Sequence, residues 1–150
     1  MNEVSKPPPL HAAAIADAGS SANKQLVLEF FAAADRGDLD AAIAMLADDV
    51  TWTNIGSTKF SGRYEGKQAL MDELLGPVFG QFKAGIATTI ERLTAEGDIV
   101  VAQSDGQAET VDGVPYNNTY CQVFRIRDGQ ITEVKEYFDT ALADSVLGSG

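Results

Sequence analysis

The stretch that decides the fold is residues 86–138, IATTIERLTAEGDIVVAQSDGQAETVDGVPYNNTYCQVFRIRDGQITEVKEYF. It contains four extended runs, rich in β-branched and aromatic residues, at positions 86–93, 99–110, 117–127 and 130–138. Turn sequences at 96–98, 112–113 and 128–129 separate the runs, and each of them joins an acidic residue to a glycine. Short turns of this kind are typical of hairpins. The stretch therefore predicts a four-stranded antiparallel meander.

Helical spacing characterises the sequence before this meander. Apolar residues recur three or four positions apart between Asn23, which can cap a helix, and Gly37, which ends it. Asp38 caps a second, shorter amphipathic stretch, and a third helix is predicted over residues 69–79. Between the last two helices, a strand is predicted to begin at Val50. Helices followed by a meander predict an α+β fold and not a βαβ nucleotide-binding sheet.

The two ends of the chain differ in composition from its centre. Residues 1–22 combine a proline triplet with small and polar residues, and such a segment buries too little surface to order itself. We predict a loosely ordered tail over 1–22, one domain over 23–144 and a short tail over 145–150. His11 is the only histidine. A catalytic or metal-binding histidine therefore requires the first tail to fold back over the domain.

Net charge and cysteine content limit the expected partners. There are 22 acidic and 11 basic residues, which gives a formal net charge of −11. A surface of this sign repels nucleic-acid phosphates and anionic lipid heads, so neither nucleic acid nor membrane is an expected partner. Cys121 is the only cysteine, which excludes an intrachain disulfide and favours a cytoplasmic location. No run approaches the ~18 apolar residues of a membrane helix.

No cofactor or metal is predicted. The sequence has no glycine-rich phosphate loop, no paired-cysteine motif and no internal repeat. Several aspartates lie beside predicted turns or helix ends, where local hydrogen bonding favours aspartate without any metal. They are Asp48, Asp49, Asp98, Asp112 and Asp128.

Four segments resemble the SnoaL-like branch of the nuclear-transport-factor-two-like superfamily. They are residues 26–35, 37–39, 46–52 and 124–139, in this order and spacing, and the resemblance covers roughly 23–144. It implies a cone-shaped fold, in which a strongly bent antiparallel sheet wraps against three N-terminal helices around a pocket for a small apolar organic molecule. It also implies a homodimer formed through the sheet. Ketosteroid isomerases, polyketide cyclases, limonene-epoxide-type hydrolases, dehydratases and binding proteins share this cone, so the resemblance implies no single activity.

Glu136 is the leading candidate for chemistry. Alternation along the last strand places it on one face with Val134 and Phe138, so on the inner face it is a carboxyl group among apolar side chains. Such surroundings favour the neutral form and suit a general acid or base. The resemblance places an acidic residue at this position in epoxide hydrolases and polyketide cyclases. The alternative is a surface carboxylate, or one that is paired with Arg63.

Two further strands carry candidate polar residues. Trp52 and Asn54 share a face of the first strand. They match the tyrosine and asparagine that hold a water in the resembling epoxide hydrolases. Tryptophan donates one hydrogen bond but accepts none, so it orients water less well than tyrosine does. Asn118, Tyr120 and Gln122 share a face of the third meander strand, where a polar ligand would satisfy them. The alternatives are that Trp52 and Asn54 are ordinary core residues, and that Cys121 and Val123 face inwards instead.

The strand over 99–110 departs from the epoxide-hydrolase pattern. The resembling enzymes carry an arginine and an aspartate two positions apart there, and this chain has Ser104 and Gly106. Asp105 is adjacent, but alternation directs it to the opposite face. Ala102, Ser104, Gly106 and Ala108 form a small inner set, which leaves space either for a larger substrate or for helix packing.

The sequence favours a cofactor-free enzyme that performs acid–base isomerisation or cyclisation on a small apolar carbonyl compound. Two alternatives stay open: an epoxide hydrolase, which needs Asp105 to face inwards beside Glu136, and a protein that binds a small ligand without converting it. The predicted catalytic residues are Glu136, Asn54 and Tyr120. The predicted substrate-binding residues are Trp52, Phe79, Ser104, Asn118, Gln122 and Phe138.

Overall fold

The computed structural model describes residues 18–148, so His11 and the predicted tail over residues 1–17 lie outside the described residues. Helices and strands follow one another in the order α1 (Ala18–Asp35), α2 (Leu39–Ala44), β1 (Leu46–Asn54), β2 (Gly62–Glu65), α3 (Lys67–Ala69), a π-helical segment (Leu70–Leu75), α4 (Gly76–Phe79), β3 (Ala87–Glu96), β4 (Ile99–Gln107), β5 (Thr119–Arg127), β6 (Gln130–Phe138) and α5 (Thr140–Leu147).

All six strands form one sheet, in the order β2-β1-β6-β5-β4-β3. Strands β3 to β6 form the predicted antiparallel meander. Gly97 and Gly129 adopt the positive φ angles that its tight turns require, 60° and 74°. Strand β1 adds one parallel pairing, with β6. Register shifts within three of the strand pairs bend the sheet. The predicted α+β class is confirmed.

Helix α1 packs its apolar side against the inner face of the sheet. Val27 is fully buried, and Phe30 and Phe31 are nearly so. Both phenyl rings meet the ring of Phe124 on β5 edge to face, with centroid distances of 6.0 and 5.8 Å. Aromatic rings bury large apolar areas, and this geometry is the one their quadrupoles favour. The predicted helical spacing of α1 is confirmed, and its rings form one wall of the interior.

The third predicted helix is continuous over residues 67–79 and widens in its centre. The amide of Gly76 donates to the carbonyl of Met71, five residues earlier, which is the hydrogen bond of a π-helix. Pro77 has no amide hydrogen and its ring clashes with the carbonyl of the preceding turn, so a regular α-helical ladder cannot pass through it. The wide turn keeps Leu70 and Leu74 buried in the core.

Both ends of the described chain are more helical than the sequence predicts. Helix α1 begins at Ala18, so residues 18–22 of the predicted tail are helical. Helix α5 includes residues 145–147 of the predicted C-terminal tail. Asp139 caps it by accepting a hydrogen bond from the Leu142 amide at 3.1 Å. Within residues 18–148 no helix is long and apolar enough to cross a membrane.

The first strand also begins earlier than predicted. Strand β1 starts at Leu46, and its pairing with β6 slips between Leu46 and Thr51. Asp48 and Asp49, which the sequence places at the end of the second helix, lie in this slipped part of the strand and are exposed. Asp48 forms an ion pair with Lys67 at 3.5 Å. The slip allows two charged residues in a row to face solvent, which regular alternation would forbid.

Candidate active site

A cavity of about 150 Å³ lies between the helices and the inner face of the sheet. Strands β1, β5 and β6 contribute to its lining, and so do α1, α2, the helical segment 67–79 and α5. Most lining side chains are apolar. An apolar enclosure with a few convergent polar groups is typical of a site for a small organic molecule. Its polar and ionisable lining residues are Asn54, Thr58, Lys59, Thr88, Tyr116, Tyr120, Gln122 and Glu136.

Glu136 lines this cavity from β6. It is aligned with Asn54 of β1 on one side and with Gln122 of β5 on the other. Burial among apolar groups raises the pKa of Glu136 from 4.5 to about 7, against the lowering effect of a hydrogen bond from Gln122. Arg63, the alternative partner, forms an ion pair with Glu65 at 3.6 Å. A carboxyl group with a pKa near 7 exchanges protons readily at neutral pH.

A short chain of hydrogen bonds runs across three strands to Glu136. The hydroxyl of Ser104 on β4 donates to Oε1 of Gln122 at 3.2 Å. Nε2 of Gln122 donates to Oε1 of Glu136 at 3.3 Å. Ser104 and Gln122 are 2% and 6% exposed, so water does not compete for these groups. These hydrogen bonds engage Oε1 of Glu136, a residue that also lines the cavity.

Asn54 is held by two hydrogen bonds that fix the orientation of its amide. Its Oδ1 accepts from Nε1 of Trp52 at 2.9 Å, and its Nδ2 donates to the carbonyl of Phe60 at 3.1 Å. The hydroxyl of Tyr64 donates to the same carbonyl at 2.9 Å. An amide nitrogen carries two hydrogens, so one remains for a ligand. The indole of Trp52 is already bonded to Asn54, which leaves the ring as a wall of the cavity.

Tyr120 lines the cavity near Glu136. Burial raises the pKa of Tyr120 far above its ordinary value, and the neighbouring Glu136 charge acts in the same direction. The hydroxyl therefore stays protonated, and its hydrogen-bond partner is the Tyr116 hydroxyl, from which a ligand oxygen would have to take over its hydrogen. The ring packs over Gly106, where an added Cβ would come within 2.8 Å of Tyr120 Cε2. The expectation that Gly106 leaves space for a larger substrate is therefore wrong, because Tyr120 fills that space.

Two predicted substrate-binding residues do not line the cavity. Ser104 lies behind Gln122, as described above. Asn118 is 1% exposed, and its Oδ1 accepts from the amides of Thr119 and Asp139 at 2.7 and 3.0 Å. Its Nδ2 donates to the Asp139 carbonyl at 3.0 Å and to the Tyr116 hydroxyl at 2.9 Å. Asn118 therefore joins β5 to the start of α5 and has no polar atom left for a substrate.

Asp105 lies on the outer face of β4. Its side chain is exposed and accepts a hydrogen bond from the Thr119 hydroxyl at 3.2 Å. Strand alternation is unbroken here, since Ser104 and Asp105 are aligned with Tyr120 and Thr119 in regular register. The epoxide-hydrolase hypothesis that requires Asp105 to work beside Glu136 is therefore excluded. Among residues 18–148, no group of three His, Cys, Asp or Glu side chains could hold a metal ion.

Other walls of the cavity come from predicted and unpredicted segments. Phe79 and Phe138 line it, as predicted. The sequence interpretation missed the loop over residues 58–60, which the Asn54 amide holds in place, and it missed Ala143 and Leu147 of α5. The aspartate cap at the start of α5, its apolar spacing and its closing glycine are the signals that predict this helix. No local signal directs the loop towards the cavity.

Comparisons with known proteins agree with this architecture. A sequence profile of the SnoaL-like domain matches residues 27–134. The epoxide hydrolase EphG of Mycobacterium tuberculosis is 29% identical over 112 residues, which cover 73% of this chain and 68% of that protein. The solved structure of an M. tuberculosis LEH-like epoxide hydrolase has a TM-score of 0.70 and 25% identity, and the match covers 86% of this chain and 92% of that one. An NTF2-like protein of Burkholderia pseudomallei has a TM-score of 0.76 and 23% identity, over 86% of this chain and 99% of that one.

Proposed function

The chain belongs to the SnoaL-like domain family, and we propose that it is a cofactor-free enzyme that moves a proton on a small apolar carbonyl compound. Within this class we propose isomerisation, or ring closure by addition of the enolate to a second carbonyl of the same molecule. The observation that carries the proposal is the one carboxyl group among the cavity's lining residues, Glu136, with a pKa of about 7 in mostly apolar surroundings. Functional acids and bases are the groups most often perturbed in this way.

The polar neighbours of Glu136 support a mechanism through an enolate. In its ionised form Glu136 removes a proton from the carbon beside the substrate carbonyl, and negative charge develops on the carbonyl oxygen. The protonated hydroxyl of Tyr120 and the remaining Nδ2 hydrogen of Asn54 are the proposed donors to that oxygen. A preorganised donor of this kind stabilises a transition state by about 3 kcal/mol.

Glu136 completes either reaction with the proton it has taken. In an isomerisation it returns the proton to a different carbon of the enolate. In a cyclisation the enolate carbon attacks a second carbonyl of the same molecule, and Glu136 protonates the alkoxide that forms. Both routes return the carboxylate to its starting state, so one acid–base group suffices.

Proton abstraction can be tested before the natural substrate is known. Cyclic enones and β-diketones are incubated with the full chain in D2O, and mass spectrometry follows deuterium entry beside the carbonyl. We expect catalysed exchange that falls by about 100-fold or more in Glu136→Gln, because the amide cannot accept the proton. Glu96→Gln is the matched control, since Glu96 is exposed at the end of β3 and its loss leaves the cavity intact.

Two results would overturn the proposal. One is wild-type exchange in a Glu136→Gln variant whose circular dichroism shows an intact fold. The other is tight retention of these compounds with no exchange, which would favour a protein that binds a small ligand without converting it.

Epoxide opening is the second candidate, and the similarity to epoxide hydrolase of M. tuberculosis, in sequence and in structure, favours it. Ser104 and Gly106 occupy the inner positions of β4, and Asp105 faces outwards, so Glu136 would have to activate the water without a second carboxylate. The test is incubation with an epoxide panel in 18O-labelled water. We expect no labelled diol; a diol whose formation depends on Glu136 would replace the leading candidate with this one.

A further inference from the structure

The hydrogen bonds that join Glu136, Gln122 and Ser104 depend on whether Glu136 carries its proton. Within residues 18–148, the Ser104 hydroxyl bonds to Gln122, and Gln122 bonds to Glu136, as described above. Ser104 lies between Ala102 and Gly106 on the inner side of β4, so its strand neighbours on that face offer no polar side chain. Both polar side chains are buried, and an unpaired buried polar group costs about 1–3 kcal/mol.

The three groups differ in what they donate and accept. An ionised carboxylate only accepts, whereas a protonated carboxyl also donates one hydrogen. A glutamine amide accepts at one end and donates at the other, and rotation by half a turn exchanges the two ends. A serine hydroxyl does either. The observed arrangement, with the Gln122 nitrogen towards Glu136 and its oxygen towards Ser104, is the one that suits the ionised carboxylate.

The opposite arrangement suits the protonated carboxyl, and it leaves the Ser104 hydroxyl hydrogen without a partner among the three side chains. With the Gln122 amide turned over, its oxygen accepts from the Glu136 hydroxyl and its nitrogen donates to the Ser104 oxygen. The number of hydrogen bonds is the same in both states. We propose that Ser104 and Gln122 are positioning residues that reverse their hydrogen bonds each time Glu136 gains or loses its proton. The inference rests on the proposed function for its effect on turnover, but the reversal itself can be observed without a substrate.

Other ionisable groups around Glu136 or its cavity lie on four segments. Tyr120 is on β5 and Tyr116 on the connection between β4 and β5; burial raises the pKa of both, so neither hydroxyl ionises near neutral pH. Lys59 lies on the loop over residues 55–61 and lines the same cavity. Asp139 follows Glu136 at the end of β6, and its carboxylate caps α5. Glu136 is therefore the group whose protonation the Gln122 amide has to follow.

The test is nuclear magnetic resonance on the isotope-labelled full chain at pH about 5.5 and about 8.5, either side of the Glu136 pKa of about 7. At the higher pH we expect the Gln122 amide protons to show nuclear Overhauser effects to the Glu136 γ protons. At the lower pH we expect them to show effects to the Ser104 β protons. The midpoint of the change should equal that of the Glu136 carboxyl carbon.

Two substitutions at Ser104 separate positioning from packing. Ser104→Ala removes the hydroxyl, so the amide should keep its nitrogen towards Glu136 at both pH values, and kcat should fall by about tenfold with KM unchanged. Ser104→Thr keeps the hydroxyl and should restore both the reversal and kcat. A role in packing alone would not move the amide contacts. If the alanine variant does not fold, wild type and the threonine variant still provide the comparison.

The inference and the proposed function fail separately. Unchanged amide contacts in wild type across the Glu136 titration would overturn the reversal, even if deuterium exchange depends on Glu136. Reversal with no catalysed exchange would support the inference and count against the proposed function.

Discussion

Glu136 destabilises the fold in its ionised form, because its surroundings do not solvate a charge. Its pKa is about 7 in the folded chain and its ordinary value is 4.5. Between these two values the folded state binds more protons than the unfolded state, so the free energy of unfolding falls as pH rises through this range. Stability alone would favour an apolar residue or an amide at this position. A residue that lowers the stability of the fold is expected where function requires it.

Replacing Glu136 by glutamine should therefore remove a pH dependence. We expect the free energy of unfolding of the wild type to fall by up to about 3 kcal/mol between pH about 4.5 and about 7, and Glu136→Gln to lack this component. Urea unfolding at several pH values measures it. Glu96→Gln is again the control and should keep the wild-type slope. A slope unchanged by Glu136→Gln would show that other groups cause it.

The contact between Gly106 and Tyr120 provides a second test at a single residue. An alanine Cβ would lie 2.8 Å from Tyr120 Cε2 and 3.0 Å from Ile86 Cγ2. Gly106→Ala should displace the tyrosine ring, lower stability by about 1–3 kcal/mol and weaken the proposed Tyr120 donor. A double-mutant cycle with Tyr120→Ala checks the cause, because the alanine at position 106 should cost less once the ring is absent. Equal costs in both backgrounds would refute the contact.

Sequence predicts which face a strand residue occupies better than it predicts the partner of that residue. Alternation assigns Asn54, Gln122 and Glu136 to the inner face, where all three line the cavity. It does not show that Ser104 bonds to Gln122 or that Asn118 bonds to Asp139, since these contacts depend on register and on a helix far along the chain. Side chains along a strand alternate between the two faces of the sheet, so sequence predicts the face. Tertiary packing decides which side chains form hydrogen bonds with one another.

Among the secondary-structure elements, α5 depends most on one distant side chain. Asn118 makes four hydrogen bonds around the junction of β6 and α5, two of them to the main chain of Asp139. Asp139 in turn caps the helix. Helix α5 packs through Ala143 and Leu142 on the stacked rings of Phe82 and Tyr116. A side chain that sequence suggests for substrate binding is thus a support of the cavity wall.

Asn118→Ala should loosen α5 selectively. We expect a loss of about 3 kcal/mol in stability, because three part-buried main-chain groups of Thr119 and Asp139 lose their partner. Hydrogen exchange at the amides of residues 143–147 should accelerate more than exchange in β4 and β5. Asn117→Ala is the matched control, since Asn117 is exposed and accepts one bond of 3.3 Å from Ala108. Equal exchange in both variants would contradict the role given to Asn118.

At the scale of the whole molecule, the outer face of the sheet is the surface we propose for a second copy of the chain. Val101 and Val123 are aligned across β4 and β5, and Cys121 is aligned with Tyr137 across β5 and β6. Tyr137 is 40% exposed. These side chains form an apolar centre among charged neighbours, which is the composition expected of an interface core and rim. The family resemblance implies a homodimer formed through the sheet, and we assign it to this face.

Light scattering at micromolar concentration tests the dimer directly. We expect a molar mass twice the 15.9 kDa of the chain. Val123→Glu should give a monomer, because each copy would bury an unpaired carboxylate at the interface. Val111→Glu is the control, since Val111 is an exposed apolar residue outside the sheet. A monomeric wild type would refute the proposal.

Trp52 has a practical consequence for work on this protein. It is the only tryptophan in the chain, its indole lines the cavity, and its ring nitrogen is bonded to Asn54. Indole emission responds to changes in the polarity and hydrogen bonding around the ring. All tryptophan fluorescence of the protein therefore comes from a side chain in the cavity wall. A compound library can be screened for occupancy on the unlabelled protein, with light absorbed by tryptophan and not by the four tyrosines of the chain.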